Sequence, residues 1–357
     1  MCSHSAEKRN PCAPSAQTND LSIGSLAVRS RVFLAPLSGI TDIPFRRLVR
    51  SFGTEMVYSE MVASGELVRD DAESRQRAGA DGAGLHAVQL AGRDAQAMRR
   101  AAEIVADAGA DLIDINMGCP AKKVVGGLSG SALMRDLDHA LRLVEATVAG
   151  AGGVPVTLKM RLGWDRSSLN AADLALRAEG AGVRLVTVHG RTRDQFYTGQ
   201  ADWVAIADVS RAVSIPVVAN GDLQSCSDLA PMLRASGADA VMIGRASCGR
   251  PWFPALVAGV LDPAAMRMRL AELVLDHHAA MLDFYGAAAG LRHARKHLGW
   301  YLDRFEAGTG ADVRAERAEL MRAGDPASVH ATVRALFGDV RLADVEPELA
   351  PAVRQAA

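Results

Sequence analysis

Short runs of apolar, often β-branched residues recur along the chain, and a stretch with helical periodicity follows each run. Segments 185–188 and 217–219 are apolar on both faces, as parallel strands covered by other elements must be. Between the runs, the pattern predicts helices such as 95–108 and 173–180, the second ending at a glycine. The eight runs begin near Val32, Met56, His86, Leu112, Val154, Leu185, Pro216 and Ala240. This alternation predicts an α/β fold with a parallel sheet.

Eight βα units between residues 31 and 261 match the size and order of a (β/α)8 TIM barrel. A doubly wound open sheet is the alternative, but the first strand turn, 35–39, has no G-x-G-x-x-G motif. Long helical stretches without βα rhythm follow residue 261. The sequence therefore predicts a disordered tail (1–20), a TIM barrel (21–261), a smaller all-α C-terminal domain (262–345) and a frayed end (346–357).

Composition narrows the possible classes of protein. With 357 residues, 49% of them hydrophobic, the chain can bury at least one full core. Lysine plus arginine (40) nearly cancels aspartate plus glutamate (41), so net charge predicts neither a nucleic acid nor a membrane as partner. The five cysteines lack framework spacing, which favours free thiols and no bound metal. Without an apolar signal core or membrane-length run, we expect a cytoplasmic protein with no membrane partner.

A polar, glycine-containing segment with one cysteine, 114–124, follows the fourth predicted strand. Cys119 would face the barrel mouth, where it either takes part in catalysis or is an inert packing residue. Lys122 and Lys123 follow Cys119 three and four residues later, and they either attract a polyanion or belong to a solvated loop. Position alone leaves both alternatives open.

The later strands also end in residues suited to chemistry. Lys159 lies in an apolar strand and needs an anionic or hydrogen-bonding partner if it points into the barrel. His189 either contacts a phosphate or ring carbonyl, or is a satisfied core histidine. The last two strands end in 220–222 and 244–245, where barrels commonly bind phosphate with glycine backbone and, here, Arg245. The pattern predicts a phosphate-bearing cofactor, with Cys119 and Lys159 near its reactive end.

These motifs resemble the tRNA-dihydrouridine synthase family. Segment 35–46, Ala-Pro-Leu-Ser-Gly-Ile-Thr-Asp-Ile-Pro-Phe-Arg, is similar to the family's Ala-Pro-Met-Ala-Gly-Val-Thr-Asp-x-x-Phe-Arg, with Leu37 and Ser38 as mild departures. Segment 117–124 most resembles the bacterial B-type branch, once described as nitrogen-regulation proteins. The likeness continues through segments 59–61, 89–92, 159–164, 189–193, 220–222 and 244–245. It covers nearly all of the chain after the predicted tail.

The resemblance implies an enzyme that reduces specific uridines in tRNA to 5,6-dihydrouridine, with FMN as cofactor and NADPH as reductant. It further implies that hydride passes from reduced FMN to uracil C6, while the Cys119 thiol, protonated when substrate arrives, protonates C5. The implied FMN contacts are Pro36, Leu37, Ser38, Gln89, Lys159, His189, Asn220, Gly221, Asp222, Gly244 and Arg245.

The C-terminal helices are expected to bind tRNA. Arg292, Arg295 and Lys296 fall on one face of a predicted helix, where they either track phosphates or form a solvated face. The full set of expected tRNA contacts is Lys122, Lys123, Arg191, Arg193, Arg292, Arg295 and Lys296. Two other functions stay open: an FMN-dependent, dihydroorotate dehydrogenase-like oxidoreductase acting on a free pyrimidine, and a non-catalytic RNA-binding regulator.

Overall fold

The computed structural model describes residues 20–82 and 84–349. The predicted tail therefore lies outside the described residues except for Asp20, as do residues 350–357 of the predicted frayed end.

Eight parallel strands close into a barrel in which each strand pairs with the next and the last pairs with the first. An antiparallel hairpin, β1 (Leu21–Ile23) and β2 (Leu26–Val28), precedes them. The barrel strands are β3 (Val32–Leu34), β4 (Met56–Ala63), β5 (Ala87–Ala91), β6 (Leu112–Met117), β7 (Val156–Arg161), β8 (Val186–His189), β9 (Val217–Asn220) and β10 (Ala240–Ile243). The predicted TIM barrel is confirmed, and every strand begins within two residues of its predicted start.

The hairpin covers the amino-terminal end of the barrel. Its side chains Leu21, Ile23 and Val28 are buried in one cluster with residues at the starts of barrel strands, such as Met56 and Leu112. This apolar packing leaves the carboxyl ends of the strands as the accessible face of the barrel.

Helices connect the strands, and aspartates begin several of them. The side chains of Asp42, Asp94, Asp136 and Asp202 each accept a hydrogen bond from a backbone N–H in the first helical turn, which would otherwise lack a partner. The helices are α1 (Ile43–Ser51), α2 (Ser64–Val68), α3 (Ala72–Ala78), α4 (Ala95–Asp107), α5 (Lys122–Gly126), α6 (Leu137–Gly150), α7 (Ala171–Gly180), α8 (Trp203–Ala212), α9 (Leu229–Ser236) and α10 (Phe253–Ala258). The two predicted helices correspond to α4 and α7. The cap of α7 is Ala181, and the left-handed glycine is Gly182 rather than Gly180.

Helices follow the barrel, as predicted, and residues 270–345 of the described chain contain five of them. They are α11 (Leu270–Tyr285), α12 (Ala287–Thr309), α13 (Arg314–Arg322), α14 (Pro326–Phe337) and α15 (Leu342–Val345). Of these, α11 and α12 contact α1, where the ring centroid of Phe45 lies 5.8 Å from that of His277 and 5.4 Å from that of His297. No helix within residues 20–82 and 84–349 is long and apolar enough to cross a membrane.

Two sequence predictions need correction. Glu346 is fully buried and accepts hydrogen bonds from Arg250 Nε at 3.0 Å and Trp252 Nε1 at 2.7 Å, so the chain does not fray from residue 346. A buried guanidinium requires such a counter-charge. Cys119 and Cys248 are free, but Cys226 is disulfide-bonded, so the prediction of free thiols is wrong at Cys226.

Candidate active site

A cavity of about 1080 Å³ lies at the carboxyl end of the barrel. Its wall contains all eleven residues expected to contact the cofactor, and it also contains Cys119 and Lys123. Parallel strands converge at this end, which explains why residues spread over more than two hundred positions meet here. Their contact with a cofactor stays a prediction.

The backbone around Cys119 is held from both sides. Asn116 Oδ1 accepts hydrogen bonds from the backbone N–H groups of Gly118 at 3.1 Å and Cys119 at 3.0 Å. The Cys119 carbonyl accepts from Ser131 Oγ at 2.9 Å. Gly130, at φ +60°, has no room for a side chain because a Cβ there would lie 2.8 Å from the Cys119 carbonyl oxygen. The thiol therefore projects from a fixed backbone.

Arg161 connects the Cys119 loop to the loop after β8. Its Nε donates to the Gly118 carbonyl at 2.9 Å, and one terminal nitrogen donates to the carbonyls of Thr192 and Phe196 at 2.9 and 2.8 Å. Burial lowers the pKa of Arg161 to about 10, so the side chain stays cationic at neutral pH. Sequence reasoning assigned no role to Arg161 or Asn116, although an arginine ending a buried strand was a usable signal.

A buried polar network fixes the amide of Gln89. Its Nε2 donates to Asp114 Oδ2 at 2.6 Å, and its Oε1 accepts from Asn116 Nδ2 at 2.7 Å. Thr157 Oγ1 donates to the other oxygen of Asp114 at 2.7 Å. Burial raises the pKa of Asp114 to about 6, against the effect of these hydrogen bonds. This network orients Gln89 and Asn116 at the wall of the cavity.

Lys159 is a buried ammonium with capacity to bind a further group. Its Nζ donates to Asn220 Oδ1 at 2.9 Å, and the Asn220 amide in turn donates to the Met242 carbonyl at 2.8 Å. Burial lowers the pKa of Lys159 to about 8, and the nearby Asp114 carboxyl opposes this shift. An ammonium carries three N–H donors, and among the described residues only the bond to Asn220 engages them. Lys159 therefore suits an acceptor or anion in the cavity.

The last three strands build a second recognition region. His189 Nδ1 is buried without a hydrogen-bond partner in the described part of the chain, and burial holds the pKa of His189 well below its ordinary value. Gly221, at φ +116°, lies so close to His189 and Ala201 that a Cβ would approach the Ala201 Cβ to 2.8 Å. The side chain of Arg245 is 56% exposed. A neutral imidazole, a glycine backbone without a side chain in the way and an exposed guanidinium suit a phosphate.

The Arg191 side chain is buried and stabilises the loop that follows β8. It is 2% exposed, forms a two-pronged ion pair with Asp222 at 2.9 and 2.6 Å, and donates to the carbonyls of Thr198 and Gly199. Asp222 also accepts from the backbone N–H of Ala201 at 2.7 Å. Because Arg191 is buried and donates to these partners inside the protein, it does not present a guanidinium to RNA, contrary to the sequence prediction.

The other expected tRNA contacts are not equivalent. Lys122 and Lys123 are exposed beside the Cys119 loop. Arg193 is half-buried, and its guanidinium lies 4.6 Å from the ring centroid of Trp164. Tyr197, missed by sequence reasoning, is 51% exposed at the cavity mouth, with the Arg245 guanidinium 4.7 Å from its ring centroid.

The predicted basic face of α12 is divided in the structure. Arg292 is exposed, whereas Arg295 is half-buried and points to the Ala323 carbonyl at 3.4 Å. Lys296 reaches the barrel rim, where its Nζ lies 3.8 Å from the position of a Cβ on Gly39. Packing of α12 on its neighbours therefore leaves Arg292 more exposed than Arg295 and Lys296, and contact of the three with tRNA stays a prediction.

Comparison with known proteins adds independent information. Residues 33–336 match the family model described as dihydrouridine synthase (Dus). A probable tRNA-dihydrouridine synthase of Rhizobium leguminosarum bv. phaseoli is 58% identical over 306 residues, 86% of this chain and 95% of that protein. The tRNA-dihydrouridine synthase B of Pseudomonas syringae pv. tomato is 44% identical over 327 residues, 88% of this chain and 94% of that protein.

Among solved structures, a 2-naphthoyl-CoA reductase in complex with 2-naphthoyl-CoA matches with a TM-score of 0.53 and 13% sequence identity. The match covers 79% of this chain and 57% of that one. At this level of identity, the likeness supports the barrel fold alone.

Proposed function

The chain belongs to the dihydrouridine synthase family, and on that premise we propose that it reduces specific uridines of tRNA to 5,6-dihydrouridine. The observation that carries this proposal is one cavity that joins Cys119 to two groups with unused hydrogen-bonding capacity, Lys159 and His189. The site suits a flavin-dependent oxidoreductase. The names of relatives at 58% and 44% identity favour tRNA over a free pyrimidine as substrate.

The residues present fit FMN as the flavin. The free donors of Lys159 and the oriented amide of Gln89 suit the polar edge of the ring, and Pro36 to Ser38 supply the wall beside it. The unpartnered His189 nitrogen, Gly221 and Arg245 suit the ribityl phosphate. The remaining proposed contacts are Asn220, Asp222 and Gly244. A bound FMN, reduced by NADPH, would supply the hydride that adds to C6 of the uracil.

Cys119 would donate the proton to C5 of the uracil. Asn116, Ser131 and Arg161 fix the backbone from which its thiol projects, so the proton donor is positioned before substrate arrives. The cationic side chain of Arg161, which also lines the cavity, favours the negative charge that develops on a carbonyl oxygen of the uracil. The target base must leave its stack in the RNA to reach this cavity. The exposed Lys122 and Lys123 beside it would contact the phosphate backbone.

The test is an anaerobic reaction of purified holoenzyme with NADPH and unmodified tRNA transcript, followed by mass spectrometry of nuclease fragments. We expect a uridine-containing fragment to gain about 2 mass units, the mass of two hydrogen atoms. Cys119→Ala should keep a reducible flavin and lose this gain. The matched variant Cys248→Ala should retain the gain, because burial raises the pKa of Cys248 to about 12 and makes it a poor acid. No mass gain with wild-type enzyme on transcript or native tRNA would refute the proposed reaction.

A further inference from the structure

A second, smaller cavity of about 210 Å³ lies beside the main one, between the barrel rim and the C-terminal helices. The turn at Gly39 separates the two: Ser38 and Ile40 line the main cavity and Gly39 lines the small one. Arg77 lines both. A polymer strand that places one group in the main cavity can therefore place a neighbouring group in the small cavity.

Glu60 gives the small cavity a strong hydrogen-bond acceptor. It is 4% exposed, and its Oε1 accepts a hydrogen bond from the backbone N–H of Gly39. Within the described ranges, no hydrogen bond engages its Oε2 and no cation lies within ion-pair distance. Lys296 is near but forms no such pair. A carboxylate oxygen that faces a cavity and has no partner in the described protein can accept hydrogen bonds, so this cavity suits a ligand that donates them.

The lining of the small cavity also includes aromatic side chains. The rings of Tyr285 and His293 stack with centroids 4.3 Å apart and an interplanar angle of 20°. Phe284 meets Tyr285 edge-on at 4.7 Å. The Tyr285 hydroxyl donates to Asp42 Oδ2 at 3.0 Å, which fixes the ring, while His293 is exposed. Proteins bind unstacked RNA bases with this combination of aromatic faces and edge hydrogen bonds.

We propose that the small cavity binds a guanine base of the same tRNA molecule whose uridine enters the main cavity, with Glu60 accepting from the N1–H and 2-amino groups. Guanine alone among the four bases presents two adjacent N–H donor groups on its Watson–Crick edge, which matches a carboxylate. The cavity is smaller than sites for drug-sized ligands, as a single base requires. This inference rests on the proposed function and adds a determinant of which uridine is reduced.

Inosine provides the probe, because it lacks the 2-amino group of guanosine. Single guanosines around the reduced uridine are replaced by inosine in tRNA transcripts, and binding to oxidised holoenzyme is measured by fluorescence anisotropy. We expect one replacement to weaken binding to the wild-type enzyme about tenfold, the effect of a hydrogen bond to a charged group. Glu60→Gln should weaken binding of the guanosine transcript similarly and be insensitive to the same replacement.

Glu73→Gln is the matched control. Glu73 lines the same cavity, but its side chain is 69% exposed and paired with Arg77, so this variant should keep the full inosine effect. Flavin content and thermal unfolding report whether each variant folds. His293→Ala, at an exposed position, should weaken binding of the guanosine transcript, and unchanged affinity would overturn the stacking arrangement.

The outcomes separate the two proposals. If the wild-type enzyme binds every inosine transcript as it binds the guanosine transcript, the guanine site is overturned without any variant. If the inosine and Glu60→Gln effects multiply at every position, it is overturned as well. Either result can accompany normal uridine reduction, which leaves the proposed function intact. Absence of uridine reduction by wild-type enzyme would instead refute the proposed function and this inference together.

Discussion

Two buried histidines lie where α1 meets the C-terminal helices. The rings of His277 and His297 are 4.7 Å apart, and both contact Phe45. His277 Nδ1 pairs with the Tyr301 hydroxyl at 3.0 Å, whereas neither ring nitrogen of His297 has a hydrogen-bond partner in the described ranges. Burial lowers the pKa of His277 to about 3 and the pKa of His297 well below its ordinary value. The folded protein therefore holds both rings neutral.

This arrangement makes the free energy of unfolding dependent on pH. The unfolded chain binds a proton at His297 below its ordinary pKa of about 6.5, and the folded chain does not. The contribution of neutral His297 to the free energy of unfolding is therefore fully present above this ordinary pKa. It is lost as the pH falls toward the depressed pKa of His297 in the folded protein. At pH 5, about 1.5 pH units below the pKa of the unfolded chain, His297 should lower the free energy of unfolding by about 2 kcal/mol, since each pH unit contributes roughly 1.36 kcal/mol.

The perturbation is His297→Phe, which keeps an aromatic ring of similar shape but cannot be protonated. Urea unfolding is measured at pH 7.5 and pH 5.0 for wild type and variant. We expect the wild type to lose about 2 kcal/mol more than the variant between these two values. His139→Gln, on the outer part of α6, is the control and should behave as wild type. Equal losses in wild type and His297→Phe would refute the reasoning.

Three other predictions follow from the site and its supports. Arg161→Met removes the contacts that hold the Cys119 loop, so single-turnover uridine reduction should slow roughly 100-fold with unchanged flavin content; an unchanged rate would contradict the positioning role. Gly221→Ala places a Cβ 2.8 Å from that of Ala201 at a left-handed φ, so the purified protein should lose its flavin absorbance. A full complement of flavin in this variant would contradict the proposed phosphate site at Gly221. Glu346→Ala leaves Arg250 buried without its counter-charge and should lower the free energy of unfolding by about 3–5 kcal/mol in urea, whereas a loss below about 1 kcal/mol would show that Arg250 finds water.

Local pattern determined the main architecture. Apolar runs of strand length alternate with helical periodicity, and both depend only on residues close in sequence, so the barrel strands could be located within two residues. The composition of the cavity wall was also predictable. Carboxyl ends of parallel strands converge by topology, so residues such as Lys159, His189 and Asn220 had to meet once the strands were assigned.

Ion pairs between side chains that are far apart in the sequence could not be predicted from the sequence. Arg191 is expected to contact tRNA, yet it is buried because Asp222, 31 residues later, supplies its counter-charge. Glu346 reads as part of a frayed end, yet Arg250, 96 residues earlier, requires it. No local signal distinguishes a paired charge from a free one, since the difference depends on which partner the fold brings within hydrogen-bond distance.

The sequence by itself therefore determined the order of strands and helices, the family and the face of the barrel that carries chemistry. Tertiary structure alone decided which charges stay available: it turned Arg295 and Lys296 of α12 toward neighbouring elements and left Glu60 with an unpaired oxygen in a cavity. Periodicity along the sequence determines which face of a helix or strand is buried. Whether a charged side chain stays unpaired depends on distances between elements, and these distances are set only in the tertiary structure.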